Sequence, residues 1–500
     1  MPIVYSAYQT AIFDFVKNDT RSAVISAVAG AGKTFVLTNA VKLIPSNKSV
    51  LVLAFNKIIA EELQQRINLP NAVSKTFHSL GFAAYRAIHG SRVKMDNNKL
   101  YKLLDDLVDN SNLTDDEKDC LPFVVKIVKL GKSMGIGTHL LDNSPKNWAE
   151  LIEYHDVGGM EDIDLSPCIP ICQEILFRSN QMIYIIDFDD MIYLPVQQKL
   201  SFAKFDYVLV DEAQDTSETQ REILKGIMKS TSRLIACGDE KQSLYGFRGA
   251  SSEAMACLQS DFKAVTLPLS ISYRCSRHIV NEARNWVSHI ESAPDAPDGS
   301  VERMAMYSVN DFNKEDAIIC RNVAPLISMA YGLISRGVPV NMRGRDISKG
   351  LIGMIKKLKA SSITDLSEKL ESWVTEETAR LVGKQQNESK VQSINDRSDC
   401  IKIFIEQAEI GMSVKDLINR IDGFFSDDPN GNIVLSTVHK FKGLEVNRCY
   451  ILDESKFSPK WVKLEWQKIQ EVNIRYVAIT RAKSVLRFIV SNSWTKDKSE

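Results

Sequence analysis

The chain reads as an α/β protein of two parallel-sheet domains, each interrupted by a helical insertion. Two series of short apolar, β-branched runs, each run followed by a turn and a helix-period pattern, predict the sheets. A length of 500 residues is too great for one hydrophobic core and points to roughly two to four compact units. The balance of 44% hydrophobic and 25% charged residues is that of an ordinary folded protein, which excludes a dominantly disordered or fibrous chain.

The first series comprises Ala23–Ala27, Val50–Ala54, 207–210 and 234–237, and defines a first domain at 1–86 and 201–262. Between its second and third runs, 87–200 is mostly helical in pattern and holds an acidic patch at 105–119, so it reads as an insertion. The second series comprises Ala317–Cys320, 433–436, 450–452 and 485–490, with a helical segment at 323–335, and defines a second domain at 263–350 and 428–500. A helical, polar stretch at 351–427, weakly hydrophobic over 376–397, separates strands of that domain and reads as a smaller insertion. No repeat recurs at a fixed period.

A net charge of −1 gives the whole molecule no strong field for a polyanion, so any nucleic-acid site must be a local groove. No uncharged apolar run approaches the ~18 residues of a membrane span, and the first residues lack a basic start followed by an apolar stretch. The expectation is a protein neither secreted nor anchored. The nine cysteines are scattered, and the pair Cys168 and Cys172 has no second cysteine or histidine pair at zinc spacing. They read as reduced thiols of a cytosolic protein.

Ala27-Val28-Ala29-Gly30-Ala31-Gly32-Lys33-Thr34 follows a strand pattern and opens a helix pattern, the context of a phosphate-binding loop. The small residues Ala29, Gly30, Ala31 and Gly32 let backbone N–H groups wrap the phosphates of ATP, with the helix dipole behind them. Lys33 supplies a point charge, and the Thr34 hydroxyl is suited to Mg²⁺. Asp211-Glu212-Ala213-Gln214-Asp215 ends the run at 207–210. Asp211 is assigned to Mg²⁺, and Glu212 to orienting and deprotonating the attacking water.

From here the motifs resemble, in order, those of superfamily 1 helicases of the UvrD/Rep type. Tyr8-Gln9 resembles the adenine-reading glutamine, and residues 238–250, with Gln242, Tyr245, Phe247 and Arg248, the third motif. Ser272-Tyr273-Arg274 resembles the fourth motif, Thr437-Val438-His439-Lys440-Phe441-Lys442-Gly443-Leu444-Glu445 the fifth, and Tyr476-Val477-Ala478-Ile479-Thr480-Arg481-Ala482-Lys483 the sixth. Leu53-Ala54-Phe55-Asn56-Lys57 and Thr76-Phe77-His78-Ser79 resemble motifs Ia and Ib, with wording closest to the F-box DNA helicase branch.

The resemblance implies two RecA-like domains, 1A and 2A, with 87–200 in the place of subdomain 1B and 351–427 in that of a reduced 2B. It implies that Gln9 reads adenine, Tyr273 stacks on it, and Glu445 binds the ribose or neighbouring cations. The resemblance further implies that Gln242 senses the γ-phosphate and that Arg274 and Arg481 act as arginine fingers, cations that stabilise the transition state. Phe55, Asn56, Thr76, Phe77, His78, Tyr245, Phe247, Arg248 and His439 are the strand track the resemblance implies, where aromatics beside cations would stack successive bases. The implied activity is that of an ATP-dependent, Mg²⁺-requiring single-strand DNA translocase and helicase, running 3′-to-5′. Its implied partners are single-stranded DNA, single-strand/duplex junctions, and repair, recombination or replication proteins, with no membrane. The implied setting is the cytoplasm of a bacterial or virus-infected cell, with association to the nucleoid in use. Two alternatives stay open: a protein-stripping remodeller or defence-complex sensor with little unwinding, and RNA as the track, although nothing indicates 2′-hydroxyl readout.

Overall fold

Valine, isoleucine, leucine and alanine fill the central strands of both sheets, which are buried on both faces as parallel strands covered by helices must be. The computed structural model describes residues 4–155, 157, 165–243, 253–381, 388–426, 432–457 and 465–495. The chain divides into unit 1, Met1–Gly158 with Ile163–Ser270, and unit 2, Ile271–Glu500 with Gly159–Asp162.

The sheet of unit 1 is formed by β1 (Ala23–Ala27), β2 (Val50–Ala54), β3 (Ala72–Thr76), β4 (Phe205–Val210), β5 (Met228–Gly238) and β6 (Val265–Leu269), in the order β3-β2-β4-β5-β1-β6. Every pairing is parallel. β1 therefore lies between two strands made more than 200 residues later, with Ile25 opposite Cys237 on one side and Leu267 on the other. The registers Val210↔Ala236 and Ser26↔Gly238 bring the carboxyl ends of β4, β5 and β1 side by side, where open α/β sheets bind ligands. Between β3 and β4 the helices Lys99–Asp109, Asp115–Met134, Pro145–Tyr154 and Ile169–Gln181 build a core of their own around Trp148, Ile127 and Leu176. Part of the acidic patch has a local cause: Thr114 caps the helix Asp115–Met134, and Asp115, Asp116 and Glu117 fill its first turn, where the helix dipole favours negative charge.

The sheet of unit 2 is formed by β7 (Ser300–Arg303), β8 (Ala317–Cys320), β9 (Val340–Met342), β10 (Ile433–Thr437), β11 (Val446–Leu452) and β12 (Ala482–Ile489), in the order β7-β12-β11-β8-β10-β9, again all parallel. The helices Arg345–Leu358, Ile363–Leu381, Glu388–Glu406 and Val414–Phe424 lie between β9 and β10. Their residues Leu351, Leu366, Phe404 and Leu417 share one core with Ile318, Leu435 and Tyr450 of the sheet.

The α/β class and both parallel sheets match the sequence expectation. Four strands of these two six-stranded sheets were absent from it: β3, β6, β7 and β9. Among the described residues no helix is long and apolar enough to cross a membrane. All nine cysteines are free thiols, and among the described residues no group of three or more His, Cys, Asp or Glu side chains is placed to hold a metal.

Candidate nucleotide site and strand contacts

The loop after β1 turns through Gly30 (φ 71°) and Gly32 (φ 79°), a left-handed conformation that glycine adopts without steric cost. It is pinned to the sheet by Val28 N, which donates to Leu269 O at 3.1 Å. Ala29 and Ala31 are buried, and the helix Lys33–Val41 starts directly after Gly32. Lys33 Nζ lies 3.2 Å from Glu212 Oε2. Burial opposes the charge on Lys33, yet Glu212, Asp239 and Asp211 together hold the amine above its ordinary value.

Asp211 follows β4 and is fixed by its N–H, which donates to Leu53 O at 2.9 Å. Its Oδ2 accepts from Thr34 Oγ1 at 3.1 Å, and its Oδ1 accepts from Glu212 N at 3.0 Å. Burial first, and then the charge of Glu212, push the Asp211 carboxyl up to about 6. The Thr34–Asp211 donor set fits Mg²⁺, which prefers hard oxygens and commonly takes only one or two from protein, completing its shell with phosphate and water.

Gln214 is a site residue that sequence reasoning passed over, although it stands within the quoted acidic motif. Its Nε2 donates to Glu212 Oε2 at 2.7 Å, and its Oε1 accepts from Asp239 N at 3.0 Å. Gln242 Nε2 in turn donates to Asp239 Oδ2 at 2.6 Å. Glu212, Gln214, Asp239 and Gln242 are thus one hydrogen-bonded chain linking the ends of β4 and β5. Glycine is required at 238, since a Cβ there would come within 2.7 Å of Gln214 Oε1. Gln9 is buried, and its Oε1 accepts from Ser6 N at 3.0 Å, closing the cap of the helix Ala7–Asn18.

Within unit 2, Arg274 Nε lies 2.5 Å from Glu445 Oε2 and Arg274 Nη1 donates to Thr480 O at 3.3 Å. Lys483 Nζ lies 2.7 Å from Glu445 Oε1. Partial burial opposes ionisation of Glu445, but Lys483 and Arg274 prevail and hold its carboxyl below its ordinary value. Tyr273 is half-exposed. Arg481 is 1% exposed, and its guanidinium donates to Val477 O (2.9 Å), Leu444 O (3.1 Å) and Thr480 Oγ1 (3.3 Å). It therefore ties the fifth motif to the sixth, and Arg274 is the more open of the two arginines.

The expected strand contacts separate into three groups. Phe55 is half-exposed, while Asn56 and Thr76 cap the helices that follow them, accepting from Ile59 N at 2.9 Å and Ser79 N at 3.1 Å. His78 stacks on Phe188, with ring centroids 3.8 Å apart. Burial pushes the His78 imidazole down to about 4, and burial with Arg321 and Lys442 pushes that of His439 down to about 3. Both rings are neutral at neutral pH, which suits a base better than a phosphate. Phe77 corrects the expectation: it is 6% exposed and belongs to the core beneath the sheet with Leu80 and Val196, so packing explains it. Tyr245, Phe247 and Arg248 lie outside the described residues. Phe188 lies in the stretch Phe188-Asp189-Asp190-Met191 that leads from the helical insertion back to the sheet.

A phosphate loop with paired acids at the carboxyl ends of a parallel sheet, accompanied by a second α/β unit, defines a P-loop protein of two α/β units. Comparison with known proteins narrows the class. Residues 9–263 match the family model of the UvrD/REP helicase N-terminal domain, and residues 353–493 that of the UvrD-like helicase C-terminal domain. The chain belongs to the UvrD/Rep helicase family. It is 27% identical over 295 residues to the ATP-dependent DNA helicase Rep of Escherichia coli (strain K12), a match covering 54% of this chain and 42% of that protein. It is 26% identical over 295 residues to DNA helicase II of Haemophilus influenzae, covering 53% and 38% respectively. It is 25% identical over 362 residues to the ATP-dependent DNA helicase PcrA of Leuconostoc citreum, covering 66% and 46%. The chain thus spans less than half the length of these curated relatives.

Proposed function

We propose that the chain is an ATP-dependent single-strand DNA translocase that separates strands, moving 3′-to-5′, in the compartment that holds the DNA. The observation that carries the reading is the pairing of Lys33 with Glu212 and of Thr34 with Asp211 at the carboxyl ends of β1 and β4, the two strands that flank β5. In domain terms, 1–86 with 201–262 is the RecA-like domain 1A, 87–200 is 1B, 263–350 with 428–500 is 2A, and 351–427 is a reduced 2B.

The loop amides and Lys33 hold the phosphates of ATP, while Gln9 and Tyr273 take the adenine. Mg²⁺, held by Thr34 and Asp211, would neutralise charge on the phosphates. Glu212, oriented by Gln214, takes the proton of the attacking water. Asp239 and Gln242 respond to the γ-phosphate through the same hydrogen-bonded chain. Arg274 supplies positive charge for the transition state, steered by Glu445, and Arg481 acts beside it by holding the fifth and sixth motifs together. Phe55, His78, Phe188 and His439 contact bases, and Asn56 and Thr76 fix the starts of the helices beside them.

The test is ATP turnover with and without single-stranded DNA, followed by unwinding of 3′-tailed and 5′-tailed duplexes and displacement of streptavidin from biotinylated single strands. Stimulated turnover with unwinding of 3′-tailed duplex alone is expected. Displacement without unwinding would make the chain a protein-stripping remodeller, and no stimulation by DNA would remove the motor reading.

A further inference from the structure

Four charged side chains are sealed inside the helical part of unit 1. Lys99 Nζ lies 2.7 Å from Asp190 Oδ2, with neither side chain exposed. Lys132 Nζ lies 2.7 Å from Asp187 Oδ2 and 2.7 Å from Asp190 Oδ1. The two carboxylates also close their own turn: Asp190 N donates to Asp187 Oδ1 at 2.7 Å, and Asp187 N donates to Asp190 Oδ2 at 3.0 Å. Burying ions is unfavourable unless they are paired and hydrogen-bonded, and apolar residues of the same volume often hold a core together as well or better. Stability alone therefore does not account for the tetrad. A fixed geometry does.

The turn that the tetrad fixes carries Phe188, which is 52% exposed and whose ring stacks on His78 with an interplanar angle of 22°. Lys99 comes from the helix Lys99–Asp109 and Lys132 from the last turn of Asp115–Met134, so the turn is tied to two helices at once. On its other side, a Cβ added to Gly81 would lie 1.9 Å from Met191 O. The helix carrying His78 therefore packs backbone against backbone on the helix Asp190–Gln197 that the turn opens. Small shifts of the turn would slide Phe188 off His78.

We propose that Lys99, Lys132, Asp187 and Asp190 are positioning residues for strand binding, holding Phe188 in register with His78 so that the pair presents a preformed face to an unstacked base of single-stranded nucleic acid. The inference rests on the reading of His78 as a strand contact. Stacking of a base on an aromatic face is indifferent to sequence, and a surface ordered beforehand avoids the loss of side-chain freedom on binding.

The test is the affinity of the full chain for a fluorescein-labelled oligothymidylate, followed by anisotropy at one fixed salt concentration, with Tm and DNA-free ATP turnover measured on the same preparations. Phe188→Ala should weaken binding roughly tenfold or more. The pair Lys132→Met and Asp187→Asn removes one charge of each sign and keeps an acceptor for Asp190 N. It should weaken binding several-fold at unchanged DNA-free kcat and KM, and should add no further loss in the Phe188→Ala background. If the pair variant does not fold, Lys99→Arg, which keeps the charge but moves it, carries the same expectations. Parental affinity in the tetrad variant, or a loss that adds fully to that of Phe188→Ala, overturns the positioning role and leaves Phe188 as a contact. Parental affinity in Phe188→Ala overturns the role together with the strand-contact reading beneath it.

Discussion

Asp211 in unit 1 and Glu445 in unit 2 both lie beside basic side chains, yet their carboxyls move in opposite directions. Asp211 is buried and shares its surroundings with Glu212, so desolvation and like charge exceed the pull of Lys33 and raise it to about 6. Glu445 keeps 38% of its side chain exposed and faces two cations, Arg274 and Lys483, so it stays ionised below its ordinary range. Unit 1 gathers acids around one lysine, and unit 2 gathers cations around one glutamate. The contrast teaches that the first grouping is suited to accept a cation along with its phosphates, whereas the second is suited to meet an anion.

The largest expected effect strikes the cation side. Arg274→Ala should lower kcat roughly 10³-fold or more, with Tm and ATP affinity close to parental because Arg274 is partly open and anchored mainly by Glu445. Arg481→Ala should lower kcat comparably and Tm as well, since it strips buried donors from three oxygens. Parental kcat in Arg274→Ala would mean that the cations of unit 2 do not serve the reaction. On the acid side, Glu212→Gln should retain ATP binding and lose roughly 10²–10⁴-fold in turnover, the usual weight of a general base. Stimulated turnover at the parental rate would return Glu212 to the status of a counter-ion for Lys33. Gln214→Met keeps the bulk of Gln214 but breaks the bridge to Glu212. It should reduce kcat roughly 10- to 100-fold, the range for a lost hydrogen bond to a charged group, at unchanged KM for ATP. A change in KM alone would locate its role in binding.

The smallest effect sharpens the comparison through pH. The folded value of Asp211, about 6, lies above its ordinary 3.8, so its ionisation opposes folding. The stability it contributes is fully present below about 3.8 and is lost as pH rises through about 6. Asp211→Asn should therefore raise the Tm of the nucleotide-free chain near neutral pH by a few degrees, at roughly 2–4 °C per kcal/mol. The gain should fade as pH drops through the same window. A gain independent of pH would assign it to packing instead.

What the sequence disclosed follows from where each residue lies. The central strands are buried on both faces and stand out as apolar runs, and the phosphate loop and the acid pair are each a contiguous stretch of sequence. In the two six-stranded sheets, the four strands absent from the expectation are the four edges. β3 and β7 mix polar with apolar residues, β6 contains Pro268, which an edge tolerates because it lacks a ladder donor, and β9 is three residues long. Each lacks a neighbour on one side, and with it the pressure toward an unbroken apolar run. Gln214 and Phe188 were illegible for another reason. Their roles depend on partners far along the chain, Asp239 for one and His78 for the other, which no local pattern announces. Phe77 failed in the opposite sense, since an aromatic adjoining a functional motif was in fact serving the core.

The position of β1 bears on the order in which the chain is made. Both of its hydrogen-bonding neighbours, β5 and β6, leave the ribosome more than 200 residues after it. At a synthesis rate of about 5–20 residues per second, the apolar strand that carries the phosphate loop waits roughly 10–40 s without either partner. During that interval the nascent protein exposes two unpaired strand edges beside the loop, a template for misassociation with other chains. Slowed synthesis between β2 and β5 should lengthen the exposure and lower soluble yield, whereas chaperones that hold extended apolar segments should restore it.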